Sequence, residues 1–268
     1  MAPSRPPERT PTLGDAVGEA LREAQERRLL QIVRTEPVPR HLAIIMDGNR
    51  RFASAHDLLI PEGHDRGKQK LEDLLDWCLE IRIRCLTVYG LSTENLDRDP
   101  AEVAALMDLF ERAFREAAVD ERVHRHRIRV RAIGRLELLP ERVRAAIGEA
   151  EAATRGYEDY VFNIAIAYGG RDEIVRAIRA LAAEVQAGRL QPEQIDGAAV
   201  AAHLYTSGLP DPDLILRTSG EERVSNFLLW QSAYSELYFS DVLWPGLTRL
   251  EFLRAIRAYQ MRRRRFGR

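Results

Sequence analysis

Short apolar runs alternate along this chain with longer stretches in which apolar residues recur every three or four positions. The runs Leu42 to Met46 and Tyr160 to Tyr168 read as buried strands, and Cys85 to Leu91, Asp213 to Arg217 and the short Leu237 to Phe239 as further strands. Arg127 to Ile133 alternates charged and apolar residues, as a less buried strand does. Between them lie helical patterns. One runs from about 65 to 81, with Leu71, Leu74, Leu75 and Cys78 forming one stripe. A second starts at Asp99-Pro100 and carries Val103, Leu106, Met107, Phe110, Ala113 and Phe114 on a long apolar face. Further helices are predicted from Pro140 to about 154, from Arg171 to about 186, near 197–204, and over 249–265. Residues 13–34 read as a charged surface helix that Pro37 and Pro39 stop. Residues 1 to about 12, rich in Pro, Arg and Thr, are expected to be disordered. Strand followed by helix, repeated at least five times, predicts an α/β fold. It is a single domain over 39–268 with a mainly parallel sheet of about six strands and helices on both faces, preceded by the disordered terminus and surface helix of 1–38.

Four strand ends are polar: Asp47-Gly48-Asn49-Arg50-Arg51, Ser92-Thr93-Glu94-Asn95, Gly169-Gly170-Arg171, and Arg217 through Gly220 to Arg223. Parallel topology gathers such ends at one sheet edge, where open α/β sheets bind ligands. Gly48 allows a tight turn and close backbone approach. Arginine forks suit phosphate oxygens. Asp47 is the candidate ligand for a hard cation such as Mg2+, which takes one or two carboxylates together with substrate phosphates. Placed at the sheet's edge, Asp47 should contribute little to the core.

Charge and composition narrow the classes. Net charge is −1 although 30% of the 268 residues are charged, so there is no bulk basic field for nucleic acid. The two cysteines, Cys78 and Cys85, sit in apolar context and read as core residues of a reducing compartment. No apolar run approaches the ~20 residues of a membrane span, and a cytoplasmic protein is expected. GxxxxGK[ST], GxGxxG after a strand, and Gly-x-Ser-x-Gly are all missing, which weighs against P-loop NTPases, dinucleotide binding and α/β-hydrolases. Leu71-Glu72-Asp73-Leu-Leu-Asp76 reads as the solvated face of a helix. Arg262 to Arg265 reads as a solvated helix end.

His41-Leu-Ala-Ile-Ile-Met-Asp-Gly-Asn-Arg-Arg51 and Asp213-Leu-Ile-Leu-Arg217-Thr-Ser-Gly-Glu-Glu-Arg223-Val-Ser225, continuing to Tyr234-Ser-Glu236, resemble the motifs of the cis-prenyltransferases, the undecaprenyl diphosphate synthase family. Ser92-Thr-Glu-Asn95 with Arg98, and Tyr168-Gly-Gly-Arg171, fall in order between them. The resemblance implies isopentenyl diphosphate and an allylic diphosphate, farnesyl or geranylgeranyl, as substrates, Mg2+ as cofactor, and a homodimer. It implies a metal-binding, leaving-group role for Asp47, shared at the metal by Glu236. Gly48, Asn49, Arg50, Arg51 and Phe52, with His64 and Arg98, would hold the allylic diphosphate. Ser92, Thr93, Glu94, Asn95 and Leu96 would lie near the reacting carbons, with Asn95 a route for proton removal. Arg217, Arg223, Val224 and Ser225 would form the isopentenyl diphosphate pocket. An apolar tunnel would receive the growing chain, one wall being the stripe from Val103 to Phe114, with Gly90 leaving room for a medium or long product. Release of such a product would bring peripheral membrane contact.

This chain departs from the commonest family pattern at three places. Ile60 stands where many farnesyl-primed members have Arg, Arg50 and Phe52 where Gly and Trp flank the motif arginine, and Leu96 where Trp is common. Arg50 offers a substitute guanidinium. The Arg-Arg variant, with Arg129-Val-Arg-Ala-Ile-Gly134 and Asn163 to Gly170, is similar to archaeal or actinobacterial-type members, the archaeal type being associated with geranylgeranyl primers. A short-chain Z-prenyl synthase and a non-catalytic partner subunit are the alternatives within the fold. A phosphatase using Asp47 as nucleophile would want an acid where Asn49 stands.

Overall fold

All five residues of His41–Ile45 are buried, and this strand lies near the middle of the sheet. The computed structural model describes residues 13–266. In chain order the elements are α1 (Leu13–Arg34), β1 (His41–Ile45), α2 (Asn49–Ala55), α3 (Ile60–Glu80), β2 (Cys85–Tyr89), α4 (Pro100–Ala117), α5 (Glu121–Arg125), β3 (Ile128–Ile133), α6 (Glu141–Thr154), β4 (Tyr160–Ala165), α7 (Gly170–Gln186), α8 (Gly197–Ala202), β5 (Leu214–Arg217), β6 (Glu236–Phe239) and α9 (Arg249–Phe266). The strands form one sheet in the order β3-β4-β2-β1-β5-β6, with every pair parallel. Helices flank it, as the strand–helix repeat predicts.

Two compact units divide the chain. Val38–Leu247 holds the sheet and α2 to α8. The other unit pairs α1 with α9, where the buried Gln260 Nε2 donates to Val33 O at 2.8 Å and Glu36 O at 3.1 Å. The expectation of disorder for residues 1 to about 12 lies outside the described residues, as do the side chains of Arg263 to Arg265. Among the described residues no helix is long and apolar enough to cross a membrane.

Several boundaries differ from the sequence reading. Asn49–Ala55 is a helix, as is Glu121–Arg125, and α3 begins at Ile60, with Pro61 in its first turn. These segments lack an apolar stripe long enough to be read as periodic. β3 is the less buried strand its alternating pattern suggests, and it stands at the edge of the sheet. Its open edge is capped by α6: Val130 N–H donates to Thr154 Oγ1 at 3.1 Å and Ala132 N–H to Glu151 Oε1 at 2.9 Å. Cys78 and Cys85 are buried free thiols, and burial pushes Cys85 up to about 12.

Parallel register puts His41, Thr87 and Asn163 on the same face of the sheet. His41 Nε2 lies 2.8 Å from Thr87 Oγ1, to which Asn163 Nδ2 also donates at 3.0 Å, and His41 Nδ1 lies 2.7 Å from Pro210 O. Burial lowers the His41 pKa from 6.5 to about 4, against the opposing pull of the Pro210 carbonyl and Asp213. The unfolded imidazole binds a proton near pH 6.5 and the folded one refuses it. This contribution to stability is therefore complete above the unfolded value and is lost as pH falls toward about 4. At ~1.4 kcal/mol per pH unit the loss reaches about 3 kcal/mol. Urea unfolding between pH 7.5 and 5 should show this slope in the native protein and a shallower one in His41→Gln.

Candidate active site

Strand order places the site. The chain leaves β1 toward β2 on one side, and leaves β5, its other neighbour, toward β6 on the opposite side. The crevice at the carboxyl ends of β1 and β5 is thus a topological switch point. Asp47 and Arg217 stand there. The Asp47 backbone is pinned from three sides: its N–H donates to Thr218 Oγ1 at 3.0 Å, and its carbonyl accepts from the Thr218 hydroxyl at 2.7 Å and from Trp244 N–H at 3.0 Å. Gly48 follows at φ 111°, and a Cβ there would meet Leu243 Cδ2 at 2.9 Å. Only glycine fits both the left-handed backbone and the contact.

Arg217 is almost wholly buried. Its Nη2 donates to Asp47 Oδ2 at 2.7 Å, and its Nη1 to Ser225 Oγ and to Arg223 O, each at 2.6 Å. Its Nε is buried with no partner. The second Asp47 oxygen is 3.8 Å from Arg51 Nη2, and Arg51 Nη1 is 3.8 Å from Glu221 Oε1. Burial alone would raise the Asp47 carboxyl. The hydrogen bond from Arg217 and the charges of Arg217 and Arg51 outweigh it, holding the group below the usual carboxylate range. Asp47 is therefore ionised at neutral pH, with one oxygen committed to Arg217 and the other beside Arg51.

A second cluster surrounds Glu102, a buried carboxylate that sequence reasoning missed. Arg98 Nη1 donates to it at 2.9 Å, His64 Nε2 lies 3.5 Å away and Arg50 Nε 3.9 Å. Its signal was present: Arg98 and Glu102 stand at i, i+4 where Asp99 caps α4 by accepting from Ala101 N–H and Glu102 N–H. Burial lowers the His64 pKa, with Glu102 opposing and Arg98 and Arg50 adding to the shift, so the ring is neutral at pH 7. Asn95 is held between Ser92 and Arg98: its N–H donates to Ser92 Oγ at 3.2 Å, and its side-chain oxygen accepts from Arg98 Nη2 at 3.0 Å. Asn226, also unread from sequence, donates to Glu94 Oε1 at 3.1 Å.

Most of these groups, though not Glu102 or Glu221, line one cleft of about 1110 Å3. Of the predicted residues it gathers Asp47, Gly48, Asn49, Arg50, Arg51, His64, Ser92, Glu94, Asn95, Arg98, Arg217, Arg223 and Ser225; Ile60 also lines it. Thr93, Leu96, Val224 and Phe52 do not. Phe52 stacks on His56 at 4.0 Å and lines a separate depression. Glu236 opens β6 beside Leu214, three residues short of the level of Arg217, and does not line this chain's cleft.

Beneath the cleft an apolar cavity runs between α3, α4 and the sheet. The two share Met46, Asn49, His64, Gly90 and Leu106. Leu106, Phe110, Ala113 and Phe114 form its α4 wall; Val103 and Met107, expected in that wall, do not line it. Gly67 lets α3 approach α2 closely enough for Asn49, whose Oδ1 is buried and unpartnered 2.3 Å from where a Cβ would lie.

Among the described residues no three His, Cys, Asp or Glu side chains converge as a ready-made metal cage. Asp47, an ionised and partly exposed carboxylate lining the cleft, suits a hard cation that brings phosphate oxygens with it. The site as a whole fits an amphiphile with a polyanionic head and an apolar tail.

The family described as "Putative undecaprenyl diphosphate synthase" matches residues 45–267. The chain is 55% identical over 243 residues to a tritrans,polycis-undecaprenyl-diphosphate synthase (geranylgeranyl-diphosphate specific) of Methanopyrus kandleri, covering 91% of this chain and 90% of the relative. It is 53% identical over 246 residues to the same-named protein of Thermococcus kodakarensis, covering 92% and 93%. The crystal structure of lavandulyl diphosphate synthase from Lavandula x intermedia, in complex with dimethylallyl diphosphate, superposes with a TM-score of 0.78 at 36% identity, covering 83% of this chain and 95% of that one.

Proposed function

The chain belongs to the cis-prenyltransferase family of undecaprenyl diphosphate synthases, and we propose that it is primed by geranylgeranyl diphosphate and adds isopentenyl units to make an undecaprenyl-type diphosphate. The observation that carries this reading is the wall at Gly90, which lines both an arginine-rich cleft and an apolar cavity. The primer's diphosphate is assigned to Arg50, Arg51, Arg98 and His64, with Glu102 holding three of these four in place. Isopentenyl diphosphate is assigned to Arg217, Arg223 and Ser225. Arg217 Nη2 is already occupied by Asp47 and its Nε is buried, so the exposed Arg223 is the group left to meet phosphate. Ser92 and Asn95 stand beside Gly90 at the reacting end, where Asn95 is assigned the route for the departing proton.

Asp47 fits Mg2+, which would supply positive charge to the leaving diphosphate. The arginines aimed at the same oxygens add to that stabilisation in a partly desolvated cleft. Arg50 supplies a guanidinium near the place where Ile60 offers none, which supports the geranylgeranyl assignment together with the names of the archaeal relatives. We assign the partner to a second copy of this chain. Tyr234 is wholly exposed, and Val175, Ile178 and Trp230 are large apolar side chains also open to solvent. Glu236 would reach a metal only in such a dimer.

Incubation with labelled isopentenyl diphosphate, Mg2+ and, separately, geranyl, farnesyl or geranylgeranyl diphosphate tests the reading. Elongation is expected with geranylgeranyl diphosphate foremost. A preference for farnesyl diphosphate would overturn the primer assignment, and no elongation with any primer would overturn the activity.

A further inference from the structure

The apolar cavity holds about 120 Å3. That is well below the roughly 300–1,000 Å3 of pockets that take drug-sized ligands. The long prenyl chain of the function proposed above, on which this inference rests, enters only if a wall moves. The floor is Phe162 and Ile164 of β4, a strand hydrogen-bonded on both sides. On its far side α4 packs against α6, whose Val143, Ala146, Ile147 and Ala150 are buried, and at the surface Arg142 meets Asp108 at 2.6 Å and Glu111 at 2.5 Å.

The seam between α3 and α4 is built differently. Asp65 pairs with Arg112 at 2.9 Å, both half-exposed. Lys68 lines the cavity and carries its ammonium out to Glu116 at 2.5 Å and to Glu72 of its own helix at 2.8 Å. Glu72 and Asp76, expected to be merely solvated, also face Arg122 of α5 at 3.7 and 3.4 Å. Solvent-exposed ion pairs contribute about 0–1 kcal/mol each. A row of them closes a wall yet lets it part at small cost, whereas packed apolar contacts resist in proportion to the area exposed.

We propose that the Lys68–Glu116 and Asp65–Arg112 pairs latch α3 to α4 and determine product length: the seam yields as the prenyl chain grows, and its strength decides where elongation stops. None of the four residues except Lys68 touches the cavity, and none lines the catalytic cleft.

Elongation of geranylgeranyl diphosphate with labelled isopentenyl diphosphate, resolved by thin-layer chromatography, tests this. Glu116→Lys and Arg112→Asp should each move the main product longer by at least one isoprene unit while leaving the rate of the first condensation unchanged. The Asp65→Arg/Arg112→Asp double variant, which restores a pair of reversed sign, should return the native length. Native protein at 1 M salt, where the screening length falls from about 10 Å to about 3 Å, should also make longer product, and this arm decides the matter if the variants fail to fold. Unchanged or shorter products in the folded single variants, or native length at high salt where no single variant folds, would overturn the latch. Loss of the first condensation in the native protein would overturn the proposed function instead.

Discussion

Asp47→Ala is expected to cut turnover by at least about 100- to 1,000-fold, the range for removing one preorganised group that stabilises developing charge. Both proposed roles of the carboxylate vanish together: a ligand for the cation at the leaving group, and the anchor of Arg217 at 2.7 Å. The second role changes the expectation for stability. Taken as an edge residue with little core, Asp47 should be removable without cost. Its partner, however, is a buried guanidinium whose Nε already lacks an acceptor. Truncation leaves Nη2 unpaired as well, and a hydrogen bond between charged groups is worth about 1.5–3 kcal/mol. Urea unfolding should therefore show a loss of that order in Asp47→Ala. Asp47→Asn keeps an acceptor and should recover part of the stability and none of the turnover. Equal turnover in Asp47→Asn and the native protein would show that the charge is not needed and would remove the metal assignment.

Much of this was legible because the informative residues are local in sequence. The strand ends carrying Asp47, Ser92 and Arg217 are contiguous motifs, and parallel topology alone brings such ends together. What stayed hidden depends on helix orientation. Glu102 looks like one more charged residue on an amphipathic helix. Only the crossing of α3 over α4 turns it toward His64 and Arg50. Phe52 sits inside a motif yet turns away from the cleft, because Asn49–Ala55 is helical and successive residues point in different directions. Val103 and Met107 share the apolar stripe of the cavity wall without lining the cavity for a related reason. A stripe of apolar positions specifies a buried face, and a helix between sheet and neighbouring helices has more than one.

Gly90→Leu should shorten the product. Gly90 is shared by the cleft and the apolar cavity, so a side chain there stands in the path of the growing tail. A Cβ would lie 3.2 Å from Phe110 Cε1, 3.3 Å from Ala165 O and 3.4 Å from Ile164 Cγ2, which is tight against one mobile ring and one fixed carbonyl. The backbone there is not in the left-handed region, so the substitution costs packing and little strain; overpacking of this kind typically costs about 1–3 kcal/mol. Gly90→Ala, adding the Cβ alone, should fold nearly as well and trim the product less. The remaining Leu atoms have nowhere to go but the junction itself, since Ile164 and Phe110 close the sides. The first condensation needs the diphosphates and reacting carbons on the cleft side and should survive, whereas later additions must push the tail past the obstruction. Product distributions from labelled isopentenyl diphosphate separate the two effects. Native lengths from Gly90→Leu would mean that the tail leaves the cleft by another path, and the shared lining at Gly90 would then be only a packing contact.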